Sequence, residues 1–337
     1  MKDPLADATP EVGYQTVEWD MLKPPDERVM LLTYTNRLKL SEMSVWEDGD
    51  MTEYSVVDSV GNTYTEVDFD RVSDTPDPGQ LDAVLTDIES ETGKPRRVAL
   101  ARLAEMAAEA PEACADAVEP MVKLLSDSPP AVQGEALNVL TTVGESKPEL
   151  TRAGVDLTVA LLESATHPLL QNEAVQFLDM FAAHDPGAVT AAVPGLAALL
   201  GEVAPTAGEF LSAEEVPLRS NAAGVLADIA GEYPTKVKPW VPDAIELLDD
   251  PDEQVRHNAT AILARVAAEH PDVVPPATEE LLAVLDDDLA NTRFNACWAL
   301  NYVNATNTVD TLREIAATDP DTDVREVAQL VVDNLEE

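Results

Sequence analysis

The chain has 337 residues, 45% hydrophobic and 4% aromatic, with 64 Asp and Glu against 21 Lys and Arg and a formal net charge of -43. That apolar content excludes a disordered acidic tail, which lacks the buried surface that offsets the entropy of folding. The carboxylates are spread along the whole chain, with eight Lys against 13 Arg. Dispersed acidity of this kind keeps a protein hydrated in concentrated salt, so the expected setting is the cytoplasm of a halophilic archaeon; a specific cation-binding or acidic-decoy role is the alternative.

Residues 1–78 hold seven of the 15 aromatics: Tyr14, Trp19, Tyr34, Trp46, Tyr54, Tyr64 and Phe69. The opening MKDPLADATP has no basic start followed by an apolar run, and no stretch reaches 18 uninterrupted apolar residues, so neither a leader nor a membrane span is expected. RVMLLTYTN (28–36) reads as a strand. EYSVVDSVGNTYTEVDFDRV (53–72) alternates, is rich in β-branched residues and carries Gly61-Asn62 at its centre, which predicts a hairpin. SDTPDPGQ (73–80) is a linker. A β-containing element this small buries little surface by itself. It either caps the apolar end of the region beginning at residue 79 or binds a partner through its aromatics.

From residue 79 the chain repeats. In VPDAIELLDDPDEQVRHNATAILARVAAEHP (241–271), Val255, Ala259, Ile262, Leu263, Val266 and Ala267 mark one face of an amphipathic helix. Pro251 ends a shorter helix before it, and the acidic residues of DDPDE suit the next helix N-terminus. Closing prolines recur at Pro111, Pro148, Pro186, Pro234 and Pro271, in steps of 37, 38, 48 and 37 residues. Ala259 is echoed by Ala99, Ala136, Ala174, Ala222, Ala296 and Ala328. Leu263 is echoed by Leu103, Leu140, Leu178, Leu226, Leu300 and Val332. Seven helix pairs are expected over 79–337. The long step places an insertion, GEVAPTAGEFLSAEEVP (201–217) with the aromatic Phe210, between the two helices of the fourth pair; it is either a surface loop or a binding loop.

The pairing of two helices per unit, with DDPDEQVRHNA (249–259), TDPDTDVREVA (318–328) and more loosely DDDLANTRFNA (286–296) at the turns, resembles the HEAT-repeat family. The resemblance implies a mainly α fold, a right-handed α-solenoid, with contacts between neighbouring units made by the turn Asp and the following Arg. Arg96, Arg219, Arg256, Arg293 and Arg325 fill that Arg position, but Gln133 and Gln171 fill it in the second and third units, so a continuous ladder is in doubt there. If the family pattern holds, second helices line the inner face, with Asn258, Arg265, Asn291, Arg293 and Asn295 as contact residues.

Enzymatic chemistry finds little support in the sequence. It has no GxxxxGK[ST], GxGxxG, HExxH or GxSxG, no CxxC, and four scattered His. No cofactor or metal is expected. Cys114 and Cys297 sit in Ala-rich helical sequence, where a cysteine is a small hydrophobe. The family includes some glycosylases and lyases, but holding nucleic acid needs a basic stripe. The one basic concentration is Lys94, Arg96, Arg97 and Arg102, which either balances local acidity or meets a phosphate or an acidic partner. The expected function is therefore a non-catalytic scaffold for a protein partner. An enzyme of the same fold and a structural subunit of an assembly are the alternatives. Binding is best sought where the pattern breaks: first the aromatic N-terminal element, with Trp19, Tyr34, Trp46, Tyr54 and Tyr64, then Phe210 in the insertion and the basic helix.

Overall fold

The computed structural model describes residues 55–57, 63–65, 78–165, 168–201 and 215–336. The chain divides into two units, Met1–Thr75 and Pro76–Glu337. In the first, strands β1 (Ser55–Val57) and β2 (Thr63–Thr65) run antiparallel with Val56 opposite Tyr64. The rest of the β-containing element expected from sequence, with Trp19, Tyr34, Trp46, Tyr54 and the strand over 28–36, lies outside the described residues, as do His167 and Phe210.

The second unit is helical throughout its described residues and runs as seven pairs. The first is α1 (Leu81–Ser90) with α2 (Lys94–Glu109), and the second α3 (Val118–Asp127) with α4 (Pro130–Ser146). Next come α5 (Val155–Ser164) with α6 (Pro168–Ala182), and α7 (Val193–Gly201) with α8 (Glu215–Glu232). The last three are α9 (Val241–Glu246) with α10 (Glu253–Glu269), α11 (Thr278–Ala283) with α12 (Ala290–Tyr302), and α13 (Val309–Thr318) with α14 (Thr322–Glu336). Each second helix packs on the second helix of the next pair, so α2, α4, α6, α8, α10, α12 and α14 form one continuous row.

The inferred repeat register marks the core. Ala136, Ala174, Ala222, Ala259, Ala296 and Ala328 are fully buried, as are Leu103, Leu140, Leu178, Leu226, Leu263 and Leu300. A small residue at the closest approach lets neighbouring helices come together, and a leucine one turn on fills the space between layers. The prolines play a fuller part than closing a helix. Pro111, Pro148, Pro186 and Pro234 each open a short lead-in turn of the next unit, because proline's fixed φ suits the first helical position and its missing N–H would be unpaired there anyway. The first layer is thus a broken helix, a lead-in turn followed by a short α-helix. Two chain reversals use left-handed backbone, Gly93 (φ 61°) before α2 and Asn304 (φ 54°) after α12.

The turns between the helices of a pair build a ladder across units. Asp250, Asp287 and Asp319 each accept a hydrogen bond from the backbone N–H two residues on, at 2.9, 2.9 and 2.8 Å. Each also receives the arginine of the preceding unit. Arg219 binds Asp250, and Arg256 Nε reaches Asp287 Oδ2 at 2.5 Å. Arg293 grips both oxygens of Asp319 at 2.8 Å. The same arginines tie their own turns: Arg256 donates to the Asp250 carbonyl at 2.8 Å, and Arg293 to that of Asp287 at 2.7 Å. In the second and third units the glutamines turn inward, Gln133 to the Leu125 carbonyl at 2.9 Å and Gln171 to the Ala165 carbonyl at 3.0 Å. In the sequence register, the position of the turn Asp in the following unit is Ala165 for Gln133 and Ala213 for Gln171, where the later units have Asp. At Arg219, Arg256 and Arg293 the next unit offers a carboxylate, and at Gln133 and Gln171 the equivalent position is alanine. A buried guanidinium without its anion is costly, and that cost explains the pairing rule.

Candidate partner-binding surface

The row of second helices offers a face whose positions follow from the buried alanines. Residues one and two before each, and two and six after it, lie on one side of the helix. In the first five units these positions carry mostly small or polar side chains, several of which lash one helix to the next. Asn258 Nδ2 donates to the Ser220 carbonyl at 2.8 Å, and Asn221 Nδ2 to Asn172 Oδ1 at 3.3 Å. Arg265 Nη1 lies 3.2 Å from Asp228 Oδ1, with both side chains 40% exposed.

The sixth unit departs from this pattern. Phe294, Trp298 and Tyr302 stand at i, i+4 and i+8 on α12. Phe294 and Trp298 meet edge-on with ring centroids 6.5 Å apart, and Trp298 stacks on Tyr302 at 5.6 Å with 22° between the ring planes. Phe294 and Trp298 are half-buried, whereas Tyr302 is 38% exposed. Leu330, at the register of Trp298 on the neighbouring α14, is 45% exposed. Asn334 Nδ2 donates to Asn301 Oδ1 at 3.0 Å and ties the two helices beside the stack. Sequence reasoning misses this stripe, although its helical spacing is present there. The richer aromatic content of residues 1–78 outweighs it in a reading by composition.

The other expected contact residues divide. Arg293 is buried and committed to Asp319, so it holds units together and presents nothing outward. Asn258 and Arg265 are engaged between helices. Asn291 is exposed at the start of α12. Asn295 has the register of Asn221 and Asn258, is half-buried, and makes no hydrogen bond among the described residues. In the basic cluster, Arg96 Nε donates to the Ile88 carbonyl at 2.8 Å and Arg102 to Gln80 Oε1. Lys94 and Arg97 are engaged as well. These four cations are thus tied into the molecule.

Electrostatically the face runs acidic. Desolvation and then the nearby Glu109 charge lift the Glu105 carboxyl above its ordinary range, and desolvation with Asp228 does the same for Asp179. Burial, followed by Arg265, lowers the His257 imidazole. Cys297 is fully buried, which pushes its thiol up to about 12; burial also raises Cys114. Such thiols are poor nucleophiles. Among the described residues no group of three His, Cys, Asp or Glu is placed to hold a metal ion, and no helix is long and apolar enough to cross a membrane.

The HEAT-repeat family profile matches residues 241–332. That span covers the fifth to seventh units, where two of the three cross-unit Arg–Asp pairs lie. Among solved structures, an engineered protein is 26% identical, with 67% of this chain and 97% of that one covered and a TM-score of 0.56. A designed armadillo-repeat protein in complex with the peptide (KR)4 is 22% identical over 66% of this chain and 99% of its own, with a TM-score of 0.55, and shares the fold. No curated protein matches. Residues 241–332 thus match HEAT repeats, and the helical unit shares the helical-repeat fold of these solved structures.

Proposed function

We propose that the protein is a non-catalytic scaffold that grips a protein partner along its row of second helices, with the aromatic N-terminal element as a second contact. The observation that carries this reading is the stripe of Phe294, Trp298 and Tyr302 continued by Leu330, large rings and an exposed leucine on a face whose other positions are mostly small or polar. Partly exposed aromatics are the usual anchors of interfaces. The two described thiols, both raised by burial, lack the thiolate character that nucleophilic catalysis requires. A repeat array of the same fold holds a peptide in the designed armadillo protein, which supports an extended segment as the thing bound. We further read the net charge of -43 as adaptation to the salt-filled cytoplasm of a halophilic archaeon, and the array as a right-handed solenoid.

The test is affinity purification in molar KCl, identification of the co-purifying protein, and reconstitution of the pair from purified components. Full-length protein should bind, and Tyr302→Ala combined with Leu330→Ala should weaken binding. Truncation to residues 79–337 should also weaken binding relative to the full chain but leave it measurable. Full affinity in the double variant would remove the second-helix face from the site.

A further inference from the structure

We infer that the array parts at the boundary between its third and fourth units, so that units one to three unfold as one block while units four to seven stay folded. Three observations converge there, independently of what the array binds. First, this boundary lacks the rung that closes the boundaries after it. Arg219, Arg256 and Arg293 each pair with the aspartate of the following unit, whereas Gln171 is spent on the Ala165 carbonyl of its own unit at 3.0 Å. Links that do cross include a 3.3 Å amide bond from Asn221 to Asn172 and the Arg152–Asp185 pair at 2.6 Å, whose side chains are both more than half exposed. An exposed pair contributes little beside a buried bidentate one.

Second, the third unit turns the chemistry of an array end towards the fourth. The position one after each buried alanine is fully buried in the first six units, at Leu100, Leu137, Val175, Ala223, Thr260 and Cys297. In the seventh, which has no described unit beyond it, the same position is the exposed Gln329. This stripe of the helix therefore meets the following unit. One turn on, it carries Ala104, Thr141, Ala227, Ala264 and Asn301 where another unit follows, and the exposed Asp333 in the seventh. The third unit breaks the pattern with Asp179, which is also exposed.

Third, Asp179 meets charge of its own sign across the boundary. After desolvation, the Asp228 carboxylate on α8 is what raises it, and Asp179 makes no side-chain hydrogen bond or ion pair among the described residues. Asp228 has a counter-ion, Arg265 at 3.2 Å, but that arginine belongs to the fifth unit. Attraction thus ties Asp228 to the later units while repulsion faces the third. The boundary between the second and third units also lacks a rung, at Gln133. It carries the neutral Thr141 at this register, however, and is closely packed, since a Cβ on Gly144 would collide with the Met180 side chain. Repeat arrays divide where the coupling between neighbours is weakest.

Native-state hydrogen–deuterium exchange of the full-length chain, followed on peptides from each second helix in rising sub-denaturing urea, tests the inference. Peptides of α2, α4 and α6 should share one opening event. Those of α8, α10, α12 and α14 should share another, about tenfold rarer or more, which puts the step between α6 and α8. Asp179→Ala, at an exposed position, should slow exchange across α2, α4 and α6 roughly two- to fivefold, the range of an exposed charge contact. That holds at the lowest KCl that preserves the helical circular dichroism. The effect should shrink in 1 M KCl, where the Debye length is about 3 Å. Arg152→Ala, which removes the exposed pair across the boundary, should speed exchange in the same three helices by a similar factor, and neither variant should move α10, α12 or α14. A single opening event spanning all seven second helices, a step at another boundary, or an Asp179→Ala effect as large in α12 as in α4 would overturn the inference.

Discussion

Arg293 and Asp319 offer the sharpest test of how the units are joined. Their side chains are 8% and 2% exposed, and two hydrogen bonds of 2.8 Å link them. Asp319→Ala leaves the buried guanidinium hydrogen-bonded to the carbonyls of Asp287 and Asp288, with the Asp321 and Asp287 charges nearby. Arg293→Gln leaves a buried carboxylate held by the Asp321 N–H alone among its hydrogen bonds. Breaking one side of a buried pair costs about 3–5 kcal/mol, and the retained backbone contacts place each single variant near the lower end, about 3 kcal/mol. The double variant recreates the Gln-and-Ala combination that the chain itself uses at Gln133 with Ala165. It should cost no more than either single change, giving a coupling of about 3 kcal/mol. Urea denaturation followed by circular dichroism, run as a double-mutant cycle, measures it. Arg293 holds the Asp319 carboxyl below its ordinary range. The pair's contribution is therefore present above the unfolded carboxylate pKa of about 3.9 and is lost as pH falls through the depressed folded value; the double variant should lack that acid-sensitive component. Strictly additive single costs, with the same acid dependence in the double variant, would refute the ladder as an energetic unit.

Leu263→Ala and Leu140→Ala, both at fully buried positions, should each lower stability by roughly 2–5 kcal/mol in the same denaturation assay. Thr292 is fully buried with its hydroxyl unpaired, so Thr292→Val should raise stability by about 1 kcal/mol, read as a higher urea midpoint. The melting temperature should climb from dilute buffer to molar KCl, because screening relieves repulsion within a chain of net charge -43; a curve indifferent to salt would contradict the halophilic reading.

The array is legible in the sequence because its period is written in residue size. An alanine and a leucine four residues apart recur at nearly every unit, and the structure buries them at the contact between second helices. The broken first layer is less legible, since the same proline that ends one helix starts the next, and its two roles look alike in a sequence. The Arg–Asp ladder is half visible. The arginine positions are apparent, but the rule that decides between Arg and Gln requires comparing each unit with the one after it, and the acceptor lies 26 residues away for Arg293 and 31 for Arg256. The aromatic stripe escapes a sequence reading because spacing identifies a helix face without saying which way it looks. Half-buried rings beside core residues and rings awaiting a partner have the same period. Arg293 shows the converse, a charged residue placed on the face by its number and drawn beneath it by Asp319.

The most direct test of a scaffold that binds through its second helices is hydrogen–deuterium exchange of the full-length protein with and without its reconstituted partner, supported by carboxylate footprinting. Slowed exchange at the ends of α12 and α14, with Glu326 and Asp333 shielded from labelling, is the expected result. Protection confined to the first-layer helices or to residues 1–78, with Glu326 and Asp333 labelled equally in both states, would contradict it.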